Sequence, residues 1–240
     1  MLSKTAQFAL MCMFIIILSA CESSTKQSLP IHLRALPVAT QTIQTPHGAD
    51  PSVPAELGGK GFEKTAKDNG WRTYQAALET SPNAKKGGRI TIRYQEFPAA
   101  LRPIGKDSNY DVTSLLTGLV YDSLINYEYK TGQFTASLAT HWWLSDDKKT
   151  FRFRINPDAR WSDGMPVTAT DVRASWRLQV DEGILEPYSN MLYSKFTEPK
   201  VISKYIIETT AKEDDWKLFG YFGWMTILPA HYISKLTGQE

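Results

Sequence analysis

The chain has 240 residues, 42% of them hydrophobic, with 27 Lys and Arg against 25 Asp and Glu and a formal net charge of +2. That near balance excludes a protein that grips nucleic acid by neutralising phosphates. Two cysteines exclude a disulfide framework, and Cys12 lies inside the apolar leader described next.

Lys4 followed by the apolar run from Phe8 to Leu18 predicts a signal peptide over residues 1–20, because the run is too short to span a bilayer. Leu18-Ser19-Ala20-Cys21 looks like a bacterial lipobox, so Cys21 is expected to be acylated and to anchor the mature chain to a membrane. No thiol would then remain. Residues 21–60 are rich in Ser, Thr, Gln, Pro and Gly, and they read as a lipidated flexible tether. Gly58-Gly59-Lys60-Gly61 lacks the Lys-Ser/Thr step and the preceding strand of a phosphate loop. Trp71, Tyr74 and Leu78 fall at helical spacing and predict a short helical lead-in over 61–86.

The alternation of Ile90, Ile92 and Tyr94 with Arg89, Thr91 and Arg93 predicts a half-buried strand. A polar loop from Arg102 to Tyr110 follows, and Asp111 is expected to cap a helix over 112–121. Leu124 to Tyr129 and Phe134 onward read as a hairpin about Lys130-Thr131-Gly132-Gln133. A second pair, Trp142 to Leu144 with Phe151 to Ile155, turns at residues 146–149. In that pair Phe151, Phe153 and Ile155 point inward and Arg152 and Arg154 outward.

Ser162-Asp163-Gly164 predicts a tight turn, and Thr168 the N-cap of a helix whose Val172, Ser175, Trp176 and Gln179 share one face. Asp171 lies in its first turn, where negative charge suits the dipole. Val201–Ile202 and Tyr205–Thr209 predict another hairpin, 214–222 a helix, and Met225 to Leu228 a buried strand. Pro229 opens a last helix at its first position.

The string Trp161-Ser162-Asp163-Gly164-Met165-Pro166-Val167-Thr168-Ala169-Thr170-Asp171-Val172, then Ser175-Trp176, resembles the signature of the family 5 extracellular solute-binding proteins. Leu101-Arg102-Pro103, Tyr121-Asp122-Ser123-Leu124 and Leu138-Ala139-Thr140-His141-Trp142 match further motifs, so the resemblance covers residues 87–233. It implies an α/β, periplasmic-binding-protein-like fold of type II, with two lobes and an inserted subdomain. Residues 87–240 would form an incomplete first lobe: pieces 87–118 and 210–240, the subdomain over 119–209, and the second lobe missing.

The same resemblance implies a monomeric receptor of an ABC importer that captures peptides at the periplasm or cell surface and passes them to permease subunits. In such relatives the loop after the Leu-x-Pro turn and the Tyr of a Pro-Tyr pair line the cleft. The matching positions here are Asp107, Ser108, Asn109 and Tyr110 for the loop, and Tyr188 after Pro187.

The residues themselves argue against chemistry. His32, His47, His141 and His231 have no second ligand at metal spacing, and no cofactor motif is present. The carboxylates at 146, 147, 163 and 171 include Asp163 and Asp171, an acid/base pair in principle, yet they suit turns and caps better. The expectation is a binding protein and not an enzyme. The alternatives are a surface lipoprotein binding carbohydrate or a partner protein through its seven Trp and eleven Tyr, or a non-functional fragment.

Overall fold

The computed structural model describes residues 47–76, 81, 83–85 and 87–238. The expected signal segment, Cys21, the tether before residue 47 and Leu78 lie outside them. All described residues fall within one compact unit, 41–240.

Helix α1 is a single turn, Glu63–Ala66, and α2 runs Asp111–Val120. A hairpin follows, β1 Ile125–Glu128 with β2 Gln133–Ala136, its turn closed by Gly132 at φ +70°. Strands β3 Ala139–Leu144 and β4 Thr150–Ile155 come next, then α3 Ala169–Val180 and α4 Pro187–Tyr193. After β5 Lys200–Val201 and β6 Ile206–Thr210, the described residues end with α5 Leu218–Gly223 and α6 Ala230–Ile233. The main sheet is antiparallel, in the order β3-β4-β6-β5, with Phe153 opposite Trp142 on one side and Ile207 on the other.

The alternation expected of β4 sets the core. Phe151, Phe153 and Ile155 are at most 1% exposed, and the rings of Phe219 and Phe222 stack on Phe153 at 5.4 and 5.8 Å. Each fully buried ring contributes roughly 1.5–3 kcal/mol by leaving water, which makes this cluster a principal source of stability. Helix α5 sits so near the hairpin that a Cβ on Gly223 would collide with Ile125. The core therefore runs through the position, 209/210, where the subdomain was expected to meet the first lobe.

The opposite face of the sheet is not bare. Residues 47–74 cross it as a strap. Asp50 pairs with Lys204 at 2.7 Å and accepts nothing from Tyr205, whose hydroxyl instead accepts from the Asp50 amide at 2.8 Å. The Ser203 hydroxyl donates to the Leu57 carbonyl at 2.6 Å. Arg154, expected to face solvent, does point away from the core but is only 3% exposed because the strap covers it. Its guanidinium donates to Gly58 O at 3.1 Å and Thr140 Oγ1 at 2.9 Å, pairs with Glu63 at 3.0 Å, and lies 5.0 Å from the Phe62 ring. The tether expected through residue 60 thus docks on the sheet from about residue 48.

Several local expectations give way. The expected lead-in helix about Trp71 is instead extended chain, in which Arg72 exchanges both backbone bonds with Trp142 at 2.8 and 2.9 Å, while the helical turn comes earlier, at α1. Residues 89–94 form no strand, and Ile90 and Ile92 are 87% and 56% exposed. Alternation makes a strand only where a neighbour takes the ladder bonds, and none of the described strands does so here. Asp111 is the first helical residue and Tyr110 the N-cap. The helix expected over 214–222 begins at Leu218, and Pro229 is the N-cap of α6, not its first residue. Met225, Ile227 and Leu228 are buried as expected but lie outside any strand.

Candidate functional site

Helix α3 provides the platform. Its predicted face is buried throughout, and Thr168 is the N-cap of a capping box. The Thr168 amide and hydroxyl donate to Asp171 Oδ2 at 2.7 and 3.1 Å. Asp171 Oδ1 reaches further and accepts from the Ala230 amide at 2.7 Å, while Ser175 Oγ accepts from the Leu228 amide at 2.8 Å. Asp163, in the preceding turn, accepts from the Met165 amide at 3.0 Å and meets His231 Nε2 at 2.6 Å. Burial pushes the Asp163 carboxyl up, but those two hydrogen bonds, the attraction of His231 and the residue's own backbone amide together outweigh it and leave the group below its ordinary value. Both acids are spent holding residues 229–231 against α3, which leaves neither placed as an acid/base pair.

The far end of α3 carries the candidate site. Asn190 on α4 donates to the carbonyls of Gln179 and Asp181 at 2.7 and 3.0 Å, and Trp176 Nε1 donates to Tyr193 O at 3.0 Å. These bonds fix α4, which Pro187 opens at a position where its missing N–H costs nothing. Burial pushes the Tyr193 hydroxyl's pKa up, with Tyr188 and Glu186 adding to the effect.

The loop of 102–110 docks on the approach to α4. The Lys106 amide donates to Ile184 O at 2.9 Å. Gly105 has φ +97°, and a Cβ there would lie 3.0 Å from Ile184 Cγ1, so the approach requires glycine. Glu186 links the two segments: Oε1 accepts from Ser108 Oγ at 3.3 Å and Oε2 from Ser189 Oγ at 2.8 Å.

The sequence-predicted residues are therefore brought to one region in different states. Ser108 is buried at 7% exposure beneath Glu186, Asp107 and Asn109 are exposed, and Tyr110 is half-buried. Asp107 and Leu185 adopt left-handed φ of 60° and 56° and share the wall of a cavity of about 330 Å³ with Arg102 and Lys106. Tyr188 is 63% exposed on the neighbouring helix and does not line that cavity. Glu186 was not singled out from the sequence, although its place just before Pro187-Tyr188 was the available signal. The region offers hydrogen-bonding side chains and an open ring. Among the described residues no group of three or more His, Cys, Asp or Glu could hold a metal ion.

Residues 133–238 match the bacterial extracellular solute-binding proteins, family 5 Middle. The periplasmic murein peptide-binding protein MppA of Escherichia coli strain K12 is 36% identical over 120 residues, 49% of this chain and 21% of its own length. The periplasmic oligopeptide-binding protein OppA of the same organism is 44% identical over 50 residues, 21% of this chain and 9% of its own. The chain thus spans about a fifth or less of the length of these curated relatives.

Among solved structures, Haemophilus influenzae OppA in complex with RPPGFSPFR is similar at a TM-score of 0.50 and 22% identity, over 58% of this chain and 30% of that one. A periplasmic oligopeptide-binding protein of Borrelia burgdorferi is similar at 0.50 and 22%, over 57% and 31%. The fold is the type II periplasmic-binding-protein α/β fold, present in part.

Proposed function

We propose that this chain, whose residues 133–238 match the bacterial extracellular solute-binding proteins of family 5, is a peptide-capturing lipoprotein of an ABC-type importer of that family. It would bind oligo- or dipeptides outside the cytoplasmic membrane, hand them to permease subunits, and be held at the membrane by lipid on Cys21. Asp107, Ser108, Asn109, Tyr110 and Tyr188 would contribute to its wall of the binding cleft.

The observation that carries this reading is the Glu186 bridge between the 102–110 loop and the start of α4. It ties Ser108, in the matched loop, to Ser189, the residue after Tyr188, while Asp163 and Asp171 hold turn and cap contacts. The named activities of the two Escherichia coli relatives support a peptide cargo. An extended peptide held through its backbone would meet the exposed side chains of Asp107 and Asn109, and the open Tyr188 ring would cover its side chains without selecting among them.

Calorimetry of the chain with mixed-sequence tetrapeptides tests the reading. Saturable binding that weakens in Tyr188→Ala supports it; no binding by a chain that circular dichroism shows to be folded overturns it. Mass spectrometry of the membrane fraction tests the anchor, since Cys21→Ser must move the protein to the soluble fraction.

A further inference from the structure

A separate cavity of about 700 Å³ opens where the strap crosses the edge of β3 and meets the hairpin. Its size is within the range usual for ligand pockets. Trp142, 6% exposed, forms the floor, and the half-buried rings of Trp71, Tyr74 and Phe134 form the walls. Arg72 and Gln133 stand exposed at the rim.

The rings are held in place before any ligand arrives. Trp71 meets Phe62 edge to face at 5.1 Å, and Phe134 meets Phe219 in the same way at 5.0 Å. The Tyr74 backbone is fixed by its carbonyl, which accepts from the Ala136 amide at 2.8 Å, and its side chain packs against the core. Preorganised walls of this kind reduce the ordering cost of binding.

The polar groups narrow the ligand. A peptide adding along the strap would need free backbone groups, but the Arg72 amide and carbonyl and the Tyr74 carbonyl are already bonded to β3 and β2. Glu63, the acid at the cavity, is paired with Arg154 and is not offered to a cationic ligand. What remains is a set of rings with the side-chain donors of Arg72, Lys67 and Gln133 and the Gln133 side-chain carbonyl at their edge. That combination suits a molecule with apolar ring faces and a hydroxyl-rich rim.

We propose that this cavity is an oligosaccharide-binding site, in which Trp71, Tyr74 and Phe134 meet the faces of pyranose rings and Arg72 and Gln133 bond their hydroxyls. The site is independent of the peptide-binding reading and lies at the β3 edge of the sheet.

The test is a titration of the full chain with N-acetylglucosamine tetraose and with maltotetraose, read by tryptophan fluorescence, since Trp71 and Trp142 both line the cavity. A saturable change with at least one of them is expected, about tenfold weaker in Tyr74→Ala. Because Tyr74 also touches the core, the exposed Arg72→Ala and Gln133→Ala variants are measured alongside, and both are expected to weaken binding with unchanged thermal stability. Tyr188→Ala is expected to leave sugar binding intact. No saturable change with either saccharide, or binding that survives all three cavity variants, or binding that disappears in Tyr188→Ala, overturns the proposal.

Discussion

Replacing Asp171 by Ala removes three hydrogen bonds from a site that is 3% exposed. The Thr168 amide and hydroxyl lose their acceptor, which ends the capping box and costs about 0.5–2 kcal/mol. The Ala230 amide, bonded at 2.7 Å and buried, is left without a partner at a cost of about 1–3 kcal/mol. Together the two terms come to about 1.5–5 kcal/mol. At about 2–4 °C per kcal/mol for a domain of this size, the melting temperature should fall by roughly 3–20 °C.

Circular dichroism melts of the parent, Asp171→Ala, Asp171→Asn and Thr168→Ala check this. Asn keeps one acceptor oxygen and should fall between Ala and the parent, whereas Thr168→Ala loses only a hydroxyl and should cost least. A melting temperature unchanged in Asp171→Ala would refute the clamp, and would reopen the reading of Asp163 and Asp171 as a reactive pair.

Three further outcomes follow from the strap and from α4. Arg154→Met should leave Gly58 O without its donor at about 1–3 kcal/mol, while the Thr140 hydroxyl keeps His141 Nδ1 and the carbonyl of residue 154. Glu63, 56% exposed, can turn to water, so hydrogen exchange should rise across residues 58–74 while β4 and β6 keep their protection. His141 is held below its ordinary value of 6.5 by burial first and by Arg154 next, with Glu63 opposing. The unfolded chain therefore takes up the proton before the folded one, so stability is full above about pH 6.5 and is lost as pH falls through the lower folded value. Melts at pH 7.5 and at about pH 5.5 should show a drop that His141→Gln reduces. Tyr188→Ala should change stability by no more than about 0.5 kcal/mol, given 63% exposure, while weakening peptide binding in calorimetry.

The elements that the sequence made legible are those whose signal is local and whose partner is close along the chain. The β4 alternation predicted which rings enter the core, and the Thr168 cap with the Val172, Ser175, Trp176 and Gln179 face predicted α3. Both hairpins formed because only four and five residues separate their paired strands. Residues 89–94 carry an equally regular alternation, yet a strand exists only through a neighbour, and periodicity says nothing about who that neighbour is. The strap was illegible for the opposite reason. A Pro- and Gly-rich stretch offers little core of its own, so its composition resembles a tether, but Asp50, Leu57 and Gly58 are held by Lys204, Ser203 and Arg154 from far along the chain.

The candidate site divides along the same line. Recognising Tyr188 and the 107–110 loop required only motifs, and each motif is contiguous. What joins them is Glu186, which lies 78 residues from Ser108 and belongs to neither motif. Its two carboxylate oxygens each take one hydroxyl, so losing the side chain would unbond Ser108 and Ser189 together and free the loop from α4. The order of the loop is therefore a property of the pair and not of either segment. A variant such as Glu186→Ala should change the binding surface at Asp107 and Asn109 without touching either residue.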